Sequence, residues 1–88
     1  MGHLHQDKKI LNRVKRLQGQ MRAIEDSIQD DQQDCIDVLQ QVAAIKGAVN
    51  GLMNELIEMH LRHHVIPEQA LLDEAALQEF LKLIKRYN

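Results

Sequence analysis

Apolar residues near the start of the chain fall at Ile10, Val14, Leu17, Met21, Ile24 and Ile28, in steps of four and three. That spacing predicts an amphipathic helix with a coiled-coil-like seam. A polar run, Gln29-Asp30-Asp31-Gln32-Gln33-Asp34, breaks the pattern. Its aspartates are suited to cap a following helix and to sit at its positive end. The rhythm resumes at Cys35, Val38, Val42, Ile45, Val49, Leu52, Leu56 and Met59. A neighbouring stripe runs through Leu39, Ala43, Asn50, Met53, Ile57, His60 and His64. Two adjacent stripes predict a second helix of about 30 residues with a wide buried face, in need of partners on more than one side. Gly47 and Gly51 lie inside it, each costing about 1 kcal/mol relative to alanine; such positions are expected where another backbone approaches closely. Pro67 stops this helix. A third segment, roughly residues 68–87, is expected to bury Leu72, Leu77, Phe80, Leu81, Ile84 and Tyr87. The predicted fold is all-α: one domain over residues 1–88, with two long helices in an antiparallel hairpin and a shorter third helix.

Composition supports that class and adds a constraint. The 88 residues include only two aromatics, Phe80 and Tyr87, and the apolar content is Leu, Ile, Val, Ala and Met, which favours helix packing. A chain of this size buries a modest core alone, and oligomerisation is a common remedy. The single cysteine excludes an internal disulfide. There is no signal-peptide pattern and no apolar run near membrane-spanning length, so a cytoplasmic, reducing setting without membrane contact is expected.

Cys35 and the cluster His60-Leu61-Arg62-His63-His64 carry the most specific chemistry. His60 and His64, spaced i and i+4, share a helix face and can chelate one ion. Cys35 can add a thiolate, but 25 residues of helix put it roughly 37 Å from His60 at about 1.5 Å of rise per residue. The three donors meet only if a second copy lies antiparallel. His3, on the N-terminal arm, is a candidate fourth ligand. Nitrogen and sulfur donors with oxygen or amine positions to spare suit Ni(II), Co(II) or Zn(II); Cu(I) prefers more than one soft sulfur and is disfavoured. The plain alternative is a solvated histidine pair and a small apolar cysteine.

Charge is polarised. Residues 1–25 carry six basic side chains against two acidic ones, and residues 26–45 carry five aspartates and no base. Lys9, Arg13, Arg16 and Gln20 share one face of the first helix, with Lys8, Lys15 and Arg22 on a neighbouring row. Such a strip attracts phosphates, and Lys46 is placed to extend it; an ordinary solvated face is the alternative. No helix-turn-helix or zinc-finger pattern is present, so duplex DNA would be read through backbone and shape. The His-Glu-x-x-His motif of metallohydrolases is also absent, and no enzymatic activity is expected.

The run Leu39 to Met53 (LQQVAAIKGAVNGLM) closely resembles the core helix of the CsoR/RcnR/FrmR family of bacterial transcriptional repressors, and Arg13 to Gln20 (RVKRLQGQ) resembles that family's first-helix motif. The likeness covers roughly residues 7–64. It implies an antiparallel dimer that pairs into a disc-like homotetramer with effector sites between subunits. It further implies apo binding to double-stranded operator DNA and release by effector. Together with the basic strip, this leads to an expected DNA contact through Lys9, Arg13, Arg16 and Lys46, with Lys8, Lys15, Gln18 and Gln20 in support. The effector positions are His3, Cys35, His60 and His64, a set that resembles the nickel and cobalt sensors of the RcnR type. Copper sensors carry cysteine where His64 stands. Formaldehyde sensors share the positions of Cys35 and His60, use the cysteine and the N-terminal amine as nucleophiles, and generally lack the histidine at 64. The arm before Gly19 is slightly shorter than the family pattern, so His3 and His5 both stand as its ligand.

Overall fold

The computed structural model describes residues 7–67 and 71–87. Three α-helices run in order: α1 over Lys8–Gln29, α2 over Cys35–His60 and α3 over Glu74–Tyr87, with a π-helical turn over Leu61–Val65 directly after α2. No strand occurs among the described residues, and no helix among them is long and apolar enough to cross a membrane. The chain divides into two compact units between Leu52 and Met53.

In the first unit, α1 starts at Asp7, whose carboxylate accepts the Ile10 N–H at 3.0 Å and so satisfies one of the free donors of the first turn. The polar run is a true break, in which the Asp30 side chain accepts the Gln32 N–H at 3.0 Å in a local turn. Entry to α2 is held by the Asp34 carbonyl, which accepts from the Asp37 and Val38 amides at 3.1 and 3.3 Å. Two contacts fix the register of the hairpin. Gln41 Nε2 donates to Ser27 Oγ at 3.0 Å near the connection, and Arg13 lies against Gly51 far from it. Pairs 27–41 and 13–51 step in opposite directions along the chain, so the helices run antiparallel. Ile10, Ile24 and Ile45 are buried.

Much of the expected apolar stripe remains uncovered within one chain. Met21, Ile28, Leu39, Val42, Val49 and Met53 are each about half exposed or more. Their spacing is right for a buried face, but a two-helix contact covers only the narrow part of it. Gly47 has open space where a side chain would project. The close approach at Gly51 comes from a guanidinium, not from a backbone as the sequence suggested.

In the second unit the end of α2 and the start of α3 both differ from expectation. Pro67 forces the residue before it out of the helical region, and Ile66 is accordingly extended at φ −87°, ψ 122°. The helix therefore ends before Ile66, and it closes with an i→i+5 bond, Ile66 N–H to the Leu61 carbonyl at 2.9 Å. The third helix starts at Glu74 rather than near residue 68 because Asp73 caps it: its side chain accepts the Ala76 N–H at 3.1 Å. Leu77 and Leu81 are buried and Ile84 is half-buried, whereas Leu72, Phe80 and Tyr87 are exposed. The packed stripe of α3 is narrow, at i, i+4 and, in part, i+7. Lys85 and Arg86 lie in its last turn, as the helix dipole favours.

This packing sets a stability test. Leu81→Ala should cost about 2–4 kcal/mol, and Asp73→Ala about 1 kcal/mol, by urea unfolding. Unchanged midpoints in both variants would show that α3 does not fold as part of the cooperative unit.

Candidate effector and nucleic-acid sites

Cys35, a free and exposed thiol, is the first residue of α2. His60 is the last residue of the same helix, so the whole of α2 intervenes between them. Among the described residues no three His, Cys, Asp or Glu side chains converge on one point. A single chain thus offers a thiol in one unit and an imidazole pair in the other. His3 and His5 lie outside the described residues.

The imidazole pair is itself well formed. His60 and His64 are exposed, with ring centres 5.3 Å apart and planes tilted by 34°. Two imidazoles bound to one ion at about 2.0–2.1 Å hold their ring centres about 4.5–5 Å apart, slightly closer than the separation here. His60 belongs to α2 and His64 to the π-helical turn. Such turns appear mostly as single-turn interruptions and often at functional sites.

Arg62 stands between the two histidines and is heavily engaged. Its Nε donates to Glu58 at 2.9 Å, and its two terminal nitrogens donate to the two oxygens of Glu74 at 3.2 and 2.5 Å. The Glu74 hydrogen bonds, followed by the single one to Glu58, push the guanidinium further above its usual range. In return, the Arg62 bonds and a smaller contribution from Gln78 hold the Glu74 carboxyl down at about 2. Sequence reading missed this cluster: Glu58 and Arg62 are legible as an i, i+4 pair, but Glu74 arrives from α3. Met53, read as core, is exposed, and Met59 is half-buried.

The basic strip on α1 is solvent-facing as expected. Lys8, Lys9, Lys15, Arg16 and Gln18 are exposed, Arg13 and Gln20 are half-buried, and Lys46 on α2 is exposed. Lys9, Asn12, Arg13 and Arg16 line one hollow of about 440 Å³. Asn12 was not singled out from sequence, although it lies three residues after Lys9 and four before Arg16, on their face. Gln18 lines a different and larger hollow, about 640 Å³, with Met21, Arg22 and Ile28, so it is separated from the arginine group. A side-chain carbon on Gly51 would come within 2.9 Å of Arg13 Nη1. The bare backbone at Gly51 is what gives the guanidinium its seat.

A family model described as "Metal-sensitive transcriptional repressor" matches residues 6–86. The transcriptional repressor RcnR of Salmonella paratyphi B is 44% identical over 85 residues, covering 96% of this chain and 90% of that protein. A homologue of RcnR from Escherichia coli O139:H28 is 42% identical over 89 residues, with 99% and 98% covered. Among solved structures, a glutamate-to-histidine variant of the formaldehyde-responsive regulator FrmR from Salmonella enterica serovar Typhimurium superposes with a TM-score of 0.66. Its sequence identity is 38%, and 92% of each chain is covered.

The Glu74 carboxyl gives a pH test of the cluster at the histidine turn. Its value when folded lies below its ordinary value of 4.5. Its stabilising contribution is therefore fully present above about 4.5 and is lost as pH falls towards about 2. The stability difference between wild type and Glu74→Gln should be constant above pH ~5 and shrink through that acid window, measured by thermal melting. A difference independent of pH down to pH ~2 would break the assignment.

Proposed function

Because the chain belongs to the family of metal-sensitive transcriptional repressors, we propose that it binds double-stranded operator DNA as a homotetramer and leaves it when Ni(II) or Co(II) binds. The observation that carries the DNA half is the gathering of Lys9, Arg13 and Arg16 around one hollow on the exposed face of α1. These three contact phosphates, with Lys46 beside them and Lys8, Lys15, Gln18 and Gln20 in support. The uncovered apolar stripe of the hairpin supports assembly with further copies, since burial of such surface drives association.

In the effector site, Cys35 of one protomer and His60 and His64 of its antiparallel neighbour hold the ion, and His3 closes over it from the N-terminal arm. The ion supplies a fixed positive centre that draws these donors together. One thiolate among imidazoles suits Ni(II) and Co(II), admits Zn(II) and disfavours Cu(I). The arm leads into the basic helix, so ordering it shifts the phosphate contacts. Metal and DNA then oppose each other by a coupling free energy of typically about 1–3 kcal/mol. The gene controlled is a metal-efflux function, and the site of action is the cytoplasm.

A second reading draws on the likeness to the formaldehyde-responsive regulator. There the Cys35 thiol adds to the carbonyl carbon of formaldehyde, and the N-terminal amine condenses with the adduct. Water leaves, and a methylene bridge joins sulfur to nitrogen. His64 favours the metal reading, because it completes a chelating pair with His60.

Titration of Co(II) into reduced apo protein should give a thiolate charge-transfer band that disappears in Cys35→Ala. That variant should still bind operator but ignore the metal; release on adding Ni(II) would refute the ligand set. Arg16→Ala should weaken operator binding and lower the magnitude of the salt slope by about one, while sparing Co(II) affinity. Equal operator affinity in this variant would remove the α1 face from the DNA contact.

A further inference from the structure

The histidine turn is an unusual piece of backbone, and what holds it is visible. An α-helix interrupted by a π-helical turn carries one more residue per turn locally, which rotates everything beyond it about the axis. His64 lies inside that turn and His60 before it. Residues i and i+4 share a face in either register, so the two imidazoles stay neighbours, but the angle between them is set by the turn's i→i+5 register, marked by the Ile66 N–H to Leu61 carbonyl bond at 2.9 Å. A single turn that can close in α or π fashion differs by the exchange of one hydrogen bond, so a modest force decides between them.

Arg62 supplies that force at the centre of the turn. It reaches back one turn to Glu58 on α2 and forward to both oxygens of Glu74 in the first turn of α3. Glu74 has a firm footing of its own, since Asp73 caps that helix and Gln78 donates to the Glu74 carboxylate at 3.2 Å. An α register would keep the i, i+4 pair with Glu58 but turn the Arg62 fork relative to Glu74. The planar fork of a guanidinium engages a carboxylate with two parallel bonds and defines direction as well as distance.

We propose that Arg62 is a positioning residue for the effector site. Bridged to Glu58 and Glu74, it locks the π-helical turn so that His60 and His64 are presented as a ready pair. The proposal rests on the reading of those histidines as ligands. It extends that reading by giving α3, which contributes no ligand, a part in effector binding. Arg62 itself touches no metal.

The sign of one effect separates positioning from plain electrostatics. A cation next to a metal site repels the incoming ion, so removing Arg62 by charge alone should strengthen Co(II) binding. Positioning demands the reverse. Arg62→Ala and Arg62→Lys should each weaken Co(II) binding about tenfold, the lower end of what supporting groups around metal sites contribute. Lysine fails although it keeps the charge, because it cannot make the fork. In apo protein, the Ile66 amide should exchange with solvent several-fold faster in Arg62→Ala and in Glu74→Gln. Lys82→Ala, the loss of another exposed cation on α3, should change neither quantity. Co(II) binding in Arg62→Ala that equals or exceeds wild type, or unaltered Ile66 exchange, overturns the proposal. His64→Ala is the control for the underlying reading: if it leaves Co(II) affinity unchanged, the histidine ligands are wrong and Ile66 exchange alone decides whether the clamp exists.

Discussion

Everything in this chain is arranged around the continuity of α2. Twenty-six residues of unbroken α-helix begin on the thiol and end on the first imidazole. The whole of that helix therefore lies between the two groups along the chain. The hairpin with α1 covers one strip of α2 and leaves a second strip bare. Those facts pose one constraint: the thiol and the imidazoles lie at opposite ends of α2, and α2 keeps a bare apolar strip. The antiparallel second copy proposed above would answer both, by setting thiol beside imidazole and covering the bare strip. Effector binding and assembly would then draw on the same surface.

The hairpin also explains how the basic face is held. Arg13 is half-buried, with its guanidinium over the bare backbone of Gly51, while Lys9 and Arg16 on the same face are exposed. One member of the group is thus seated on α2, while Lys9 and Arg16 reach solvent. A glycine in mid-helix costs stability relative to alanine. Here the space it leaves is filled by a side chain of the group expected to meet DNA, so a local loss in α2 serves the geometry of α1.

The helices were legible in sequence where periodicity and punctuation agreed. Steps of four and three from Ile10 to Ile28, the polar run after it and Pro67 mark the ends of α1 and α2 closely. Burial was less legible: Met21 and Val42 obey the same rhythm as Ile24 and Ile45 yet stay exposed in one chain. Periodicity reports that a residue faces a partner, not which chain the partner belongs to. The start of α3 was misplaced because the cap at Asp73 is a short polar signal, whereas the apolar residues before it gave a longer and misleading one. The proximity of His60 and His64 could be read from their spacing. The π-helical turn and the reach of Arg62 to Glu74 could not, since both depend on where α3 begins.

That last dependence bears on how a surface ion pair can matter. Exposed salt bridges contribute little to global stability, and this one has an exposed member in Glu74. Global stability is the wrong measure for a choice between two registers of a single turn. Such a choice turns on the few contacts made at the turn itself, and the bridge is one of them. Linkage then runs both ways: if the clamped register binds metal better, bound metal must favour the clamped register by the same factor. An effector held by His60 and His64 would thereby stiffen the Arg62–Glu74 contact and carry its influence into α3, through a helix that holds no ligand.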